Sequence, residues 1–126
     1  NTAAVHALAY PLGGAFHVPH GVSNSLLTPH VFRFNLPAAV SRYADIGRAL
    51  GVDESLSDEE AGERAVDRLT ELSINCRIPQ RLRDVNVPEK SIDVLAKESM
   101  KVTRLLQNNP RVLSEDDARK IYRSAW

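Results

Sequence analysis

Residues 57–76 read SDEEAGERAVDRLTELSINC, and this stretch decides the fold class. Ser57 with Glu60 three residues on is a capping box: the serine caps the first turn and the glutamate reaches back to its amide. Beyond it Ala65, Val66, Leu69, Leu72 and Cys76 recur at helical spacing and form one apolar stripe. The acidic run Asp53 to Glu63 reads as a helix start and a solvated face, since negative charge is favourable at a helix N-terminus. Cys76, on the stripe, is expected to be an inert core residue. Pro79 ends the helix.

The same signals repeat on both sides. Upstream, Pro37 is expected as the first residue of a helix. Ala39, Tyr43, Ile46 and Leu50 share one face of it, and Gly51 stops it. Downstream, residues 80–87 read as one short turn plus a loop. Pro88 opens another helix, with Ile92, Leu95, Ala96, Ser99, Met100 and Leu106 inside. Asn108-Asn109-Pro110 closes it. Ser114-Glu115-Asp116-Asp117 starts a last helix that turns Ala118, Ile121, Tyr122 and Ala125 inward. No segment alternates with period two. The expectation is an all-α helical bundle of five to seven helices in one domain.

The N-terminal quarter is different. No Asp, Glu, Lys or Arg occurs from Asn1 to Phe32, and all four histidines (His6, His17, His20, His30) fall there. Prolines and glycines interrupt the stretch, which excludes a membrane span of about 20 apolar residues. A segment buried inside a soluble protein is expected instead. Residues 2–9 read as a helix stopped by Pro11-Leu12-Gly13-Gly14. Residues 15–20 read as an extended connector, and Gly21 to about Phe34 as an apolar helix bent or broken at Pro29.

Lys plus Arg and Asp plus Glu both number 16, so the net charge is zero and a nucleic-acid partner is not expected. The single cysteine rules out an internal disulfide framework and allows a reducing compartment. No basic region leads an apolar run, so no secretory signal is read and a cytoplasmic location is expected. The start at Asn1 reads as the edge of a piece cut from something longer.

His6 and Tyr10 lie four apart and share a helix face. The Pro-Gly-Gly turn can fold His20 back toward His6. Two neutral imidazoles in a charge-poor pocket suit iron or zinc. On spacing alone the alternative stays open: His6 as a core histidine bonded to a backbone carbonyl, and His20 as a helix cap. Two ligands are also fewer than a catalytic metal usually takes. His17 reads as a polar loop residue and His30 as structural.

Taken together, several motifs resemble the signature of the iron-containing (group III) alcohol dehydrogenases. They are His6-Ala7-Leu8-Ala9-Tyr10-Pro11-Leu12-Gly13-Gly14, Phe16-His17-Val18-Pro19-His20-Gly21, Asn24, and the run from Thr28 to Asn35. Asn109-Pro110-Arg111 and the final Ala125-Trp126 are similar to the end of that family. The resemblance implies the later part of a C-terminal all-helical domain, of the kind shared with dehydroquinate synthase-like proteins. An N-terminal nucleotide-binding domain would lie outside residues 1–126.

It further implies His6 and His20 as two ligands of a metal, iron(II) or alternatively zinc. An aspartate and a third histidine would come from an upstream helix. NAD or NADP would carry hydride between an alcohol and an aldehyde or ketone, in a parent expected to be a homo-oligomer. Tyr10 stands where many members have a second histidine near the substrate; a phenol donates a hydrogen bond but is a poorer proton shuttle at neutral pH. Leu105, just before Asn109-Pro110-Arg111, is a candidate to shape the substrate pocket. The competing readings are a stand-alone helical assembly module without catalysis, and a related glycerol dehydrogenase or maleylacetate reductase.

Overall fold

A computed structural model describes residues 2–126, and among them every regular element is helical. The α-helices are α1 (Ala4–Phe16), α2 (His20–Asn35), α3 (Val40–Ala49), α4 (Asp58–Asn75), α5 (Ile92–Ser99), α6 (Thr103–Leu106) and α7 (Glu115–Ser124). Short 3-10 turns fill Leu36–Ala38, Leu82–Val85 and Glu89–Ser91. The all-α expectation holds.

Leu8, Leu12, Leu27, Leu82, Leu95 and Tyr122 are fully buried in one main core, where α1 meets α2, α5 and α7. The Tyr122 hydroxyl donates to the Leu8 carbonyl at 2.6 Å, so the last helix is tied to the first through a satisfied buried polar group. Trp126 closes the chain by donating Nε1–H to the Val87 carbonyl at 2.9 Å. Asn35 and Asn109 exchange two amide hydrogen bonds, 2.9 and 2.7 Å, and fix the end of α2 to the 109 turn.

α3 and α4 form a hairpin with a small core of its own: Ala44, Val52 and Ala61, with Leu56 against them. The capping box expected at Ser57 with Glu60 is present, and at the expected helix start Ser114 forms another with Asp117. Gly51 sits at φ 83°, the left-handed stop its position predicted.

Several local expectations fail. α1 continues through Pro11, Gly13 and Gly14, and α2 is not broken at Pro29. A proline in a helix interior costs about 3 kcal/mol. Burying one leucine stabilises by about 1.5–3 kcal/mol. Leu8 and Leu12 flank Pro11, and Leu27 and Val31 flank Pro29, all fully buried, so packing outweighs the local penalty. Residues 15–20 are therefore not a connector: the link is only 17–19. His17 ends α1 at φ 55°, its N–H bonding Gly13 O at 3.1 Å, and Val18 N–H reaches Leu12 O at 3.4 Å. Pro37 lies in the 3-10 turn, and α3 begins at Val40.

A further correction concerns the end of α4. Cys76 is exposed, as are Leu72 (49%) and Ile74 (54%), because only the first half of the helix, through Val66, is buried against its neighbours. Ile46 on α3 is also at the surface. Another concerns the single helix expected after Pro88. It is divided: Ser99 Oγ donates to its own Ala96 carbonyl at 2.7 Å and competes with the backbone ladder. Val102 (φ −88°, ψ 51°) then leaves helical geometry before α6.

The charge-free stretch is buried on one side only. Ala4, Ala7, Leu8, Leu12, Val18, Leu26, Leu27 and Val31 face the core, whereas Tyr10, Gly14, His17 and His20 are exposed.

Candidate metal centre

His6 lies in the first turn of α1, Tyr10 one turn later, and His20 is the first residue of α2. The reversal at 17–19 lays these ends together. The His6 and His20 rings stand 5.3 Å apart, centroid to centroid, tilted by 54°; Tyr10 stands 6.0 Å from His20. Burial, and then the neighbouring His20, push the His6 imidazole below its ordinary range, so it is neutral near pH 7 with a lone pair to offer.

At His20 the Asn24 amide nitrogen lies 2.9 Å from Nε2. The expected convergence of His6 and His20 thus forms, through a tighter turn than the Pro-Gly-Gly sequence suggested. Two imidazole nitrogens are a chemically suitable partial donor set for iron or zinc. Among the described residues no group of three or more His, Cys, Asp or Glu side chains comes together, so the pair is not a complete ligand set.

The other histidines take structural places. His17 forms the left-handed helix end. His30 is half-buried, with Nδ1 2.9 Å from Ser124 Oγ. That hydroxyl donates to Ile121 O at 2.8 Å, so it accepts from His30 Nδ1–H. Burial first, and Arg33 second, lower the His30 pKa.

Tyr10 also lines an apolar groove of about 660 Å³ between α1 and α5. Phe16, Val94, Leu95 and Val102 share its walls, and Lys90 and Lys101 stand among its lining residues. Composition and spacing gave no sign of this groove, because its walls come from helices some 80 residues apart. Leu105 does not line it; the side chain is buried in the main core, and its N–H bonds the Val102 carbonyl at 3.0 Å.

An all-helical bundle that brings two imidazoles of neighbouring helix ends together offers a partial donor set of the kind a metal would take. The particular family follows from comparison with known proteins. Residues 1–126 match the C-terminal part of the Fe-containing alcohol dehydrogenase family, and the chain belongs to that family.

Long-chain-alcohol dehydrogenase 1 of Geobacillus thermodenitrificans is 42% identical over 98% of this chain and 32% of its own length. The 1,3-propanediol dehydrogenase of Klebsiella pneumoniae is 39% identical over 100% of this chain and 33% of its own. The solved alcohol dehydrogenase from Oenococcus oeni superposes with a TM-score of 0.94 at 32% identity, covering 100% of this chain and 33% of that one. The chain spans about a third of the length of these relatives. Among the described residues no helix is long and apolar enough to cross a membrane.

Proposed function

We propose that residues 1–126 are the metal-site part of the helical domain of an NAD(P)-dependent alcohol dehydrogenase, a cytoplasmic enzyme that interconverts alcohols with aldehydes or ketones. The observation that carries this reading is the 5.3 Å approach of His6 and His20 on the family's motif. Both would be ligands of one divalent metal, iron(II) or zinc. Such an ion supplies Lewis-acid polarisation of the substrate oxygen, and the nicotinamide supplies the hydride.

What this chain's own residues do is narrower. His6, kept neutral by burial, presents a lone pair without a protonation cost at neutral pH. Tyr10, exposed beside His20, would donate a hydrogen bond to a substrate oxygen. Leu105 would act on the substrate side only through Val102, its neighbour at the groove. The remaining ligands and the nucleotide-binding domain would come from the other two-thirds of a family-length enzyme, which would assemble as a homo-oligomer. A helical assembly module without catalysis has no observation in its favour.

The test uses both forms. The 126-residue chain alone is expected to reduce no NAD(P) with any alcohol; turnover by the pure chain would refute the division of labour. In the family-length enzyme, His20→Ala is expected to lose metal content and turnover together. Unchanged metal content in that variant removes His20 from the site.

A further inference from the structure

Asn24 lies one turn after His20 on α2. Its Nδ2 donates to the His20 carbonyl at 2.9 Å and also stands 2.9 Å from His20 Nε2. Its Oδ1 is buried, and among the described residues it is the buried side-chain oxygen or nitrogen that lacks a hydrogen-bond partner. Thr28 Oγ1 donates to the Asn24 carbonyl at 2.7 Å and steadies this turn.

The amide orientation is determined by these neighbours. Exchanging its O and N would set Oδ1 against the His20 carbonyl, acceptor against acceptor, and would leave two buried donors where one acceptor now lies. The NH₂ group therefore faces His20, with one N–H on the carbonyl and the other toward Nε2. A donor facing Nε2 requires a lone pair on that nitrogen, so the ring proton belongs on Nδ1. A buried, unpaired amide oxygen is destabilising, and a leucine of similar shape would avoid it. What the asparagine provides in exchange is a fixed imidazole.

We infer that Asn24 is a positioning residue that holds His20 as the Nδ1–H tautomer and so reserves the Nε2 lone pair for a divalent cation. The cation's part of this rests on the reading of His20 as a ligand; the tautomer does not. When a cation takes Nε2 the Asn24 N–H gives up that contact and keeps the one to the His20 carbonyl, and the ring proton does not move.

The experiment is long-range ¹H–¹⁵N NMR of the 126-residue chain with ¹⁵N-labelled histidine at about pH 8, where imidazole is neutral. The expected wild-type pattern at His20 is Nδ1–H with an unprotonated Nε2. Asn24→Asp replaces the donor by an acceptor and is expected to invert the pattern to Nε2–H. Asn24→Leu offers neither and is expected to give a mixture. In the family-length enzyme zinc, added as the probe, is expected to move the Nε2 resonance and leave Nδ1–H in place.

A wild-type ring protonated on Nε2 overturns the inference, and this reading needs no variant to fold. A pattern unchanged in Asn24→Asp, with only the melting temperature lowered, also overturns it, because a merely structural asparagine would behave that way. If the tautomer behaves as expected while zinc leaves His20 unmoved in the family-length enzyme, the metal reading fails and the assignment of Asn24 stands.

Discussion

The α1–α2 end and the α3–α4 hairpin are stabilised by different means. α1 and α2 share the main core and carry no charge before Arg33, and where His20 opens α2 polar side chains lie together: His6 with His20, His20 with Asn24. The hairpin has a core of only a few small side chains and is bordered by charge. Arg48 pairs with Asp58 at 2.8 Å, and Arg33 of α2 reaches Asp67 of α4 at 3.0 Å. Exposed pairs of this kind contribute about 0–1 kcal/mol each. The hairpin therefore depends on close backbone approach, and the α1–α2 end on burial. The difference teaches that the apolar end can hold imidazoles without a charged partner because its stability comes mainly from burial.

Gly47 offers the hardest test of that contrast. A Cβ there would overlap the Ala61 carbonyl oxygen, a backbone atom that cannot turn aside. Gly47→Ala is expected to destabilise by about 2 kcal/mol, overpacking exceeding the helix-propensity gain. At Gly62 the obstacle is the tip of the Leu36 side chain, so Gly62→Ala should stay within about 1 kcal/mol of neutral. Urea midpoints check both. If the two variants prove equal, close approach is not what holds the hairpin.

Tyr122→Phe probes the buried body. It removes the donor to Leu8 O without changing the packing volume. A loss of about 1.5 kcal/mol is expected, read from chemical denaturation, with the His6 and His20 NMR signals unmoved. Movement of those signals would show that the ends of α1 are not independent of its middle.

Ser57→Ala removes the cap of α4 and should cost about 1 kcal/mol. Hydrogen exchange is expected to quicken in the first turn of α4 and to stay unchanged in α1. Equal quickening in both would erase the distinction between the two regions.

The smallest effect concerns pH. His30 has a folded pKa below its unfolded value, so its stabilising contribution is present above about pH 6.5 and is lost as pH falls through the folded pKa. His30→Gln is expected to flatten part of the decline in stability between about pH 7 and pH 5. His6, shifted in the same direction by burial, accounts for another part. An unchanged slope in the variant would mean that His30 does not contribute to it.

Legibility along the chain followed the range of the signal. The capping box at Ser57 and the helix start at Ser114 act within one turn and form where the sequence places them. The stop expected at Pro11 does not form, because a local penalty of a few kcal/mol is reversed by burial that only neighbouring helices supply, and α2 likewise continues unbroken past Pro29. Cys76 and Leu72 continue a periodic stripe, yet periodicity does not reveal where the opposing surface ends. The His6–His20 approach was anticipated, but the residue that turns the chain is His17, whose positive φ no glycine announced; Pro19, two residues on, was the available sign.

By itself the sequence determined the all-helical class, the histidine-bearing motif and the family, since these rest on residue identity and short spacing. Only the tertiary structure decided which prolines a helix tolerates, which side of the charge-free stretch stays open, and where the groove beside Tyr10 forms. It also decided that Asn24 faces His20 with an amide N–H. Each of these depends on contacts between segments distant in the chain or on the orientation of a side chain, and neither is encoded in local spacing.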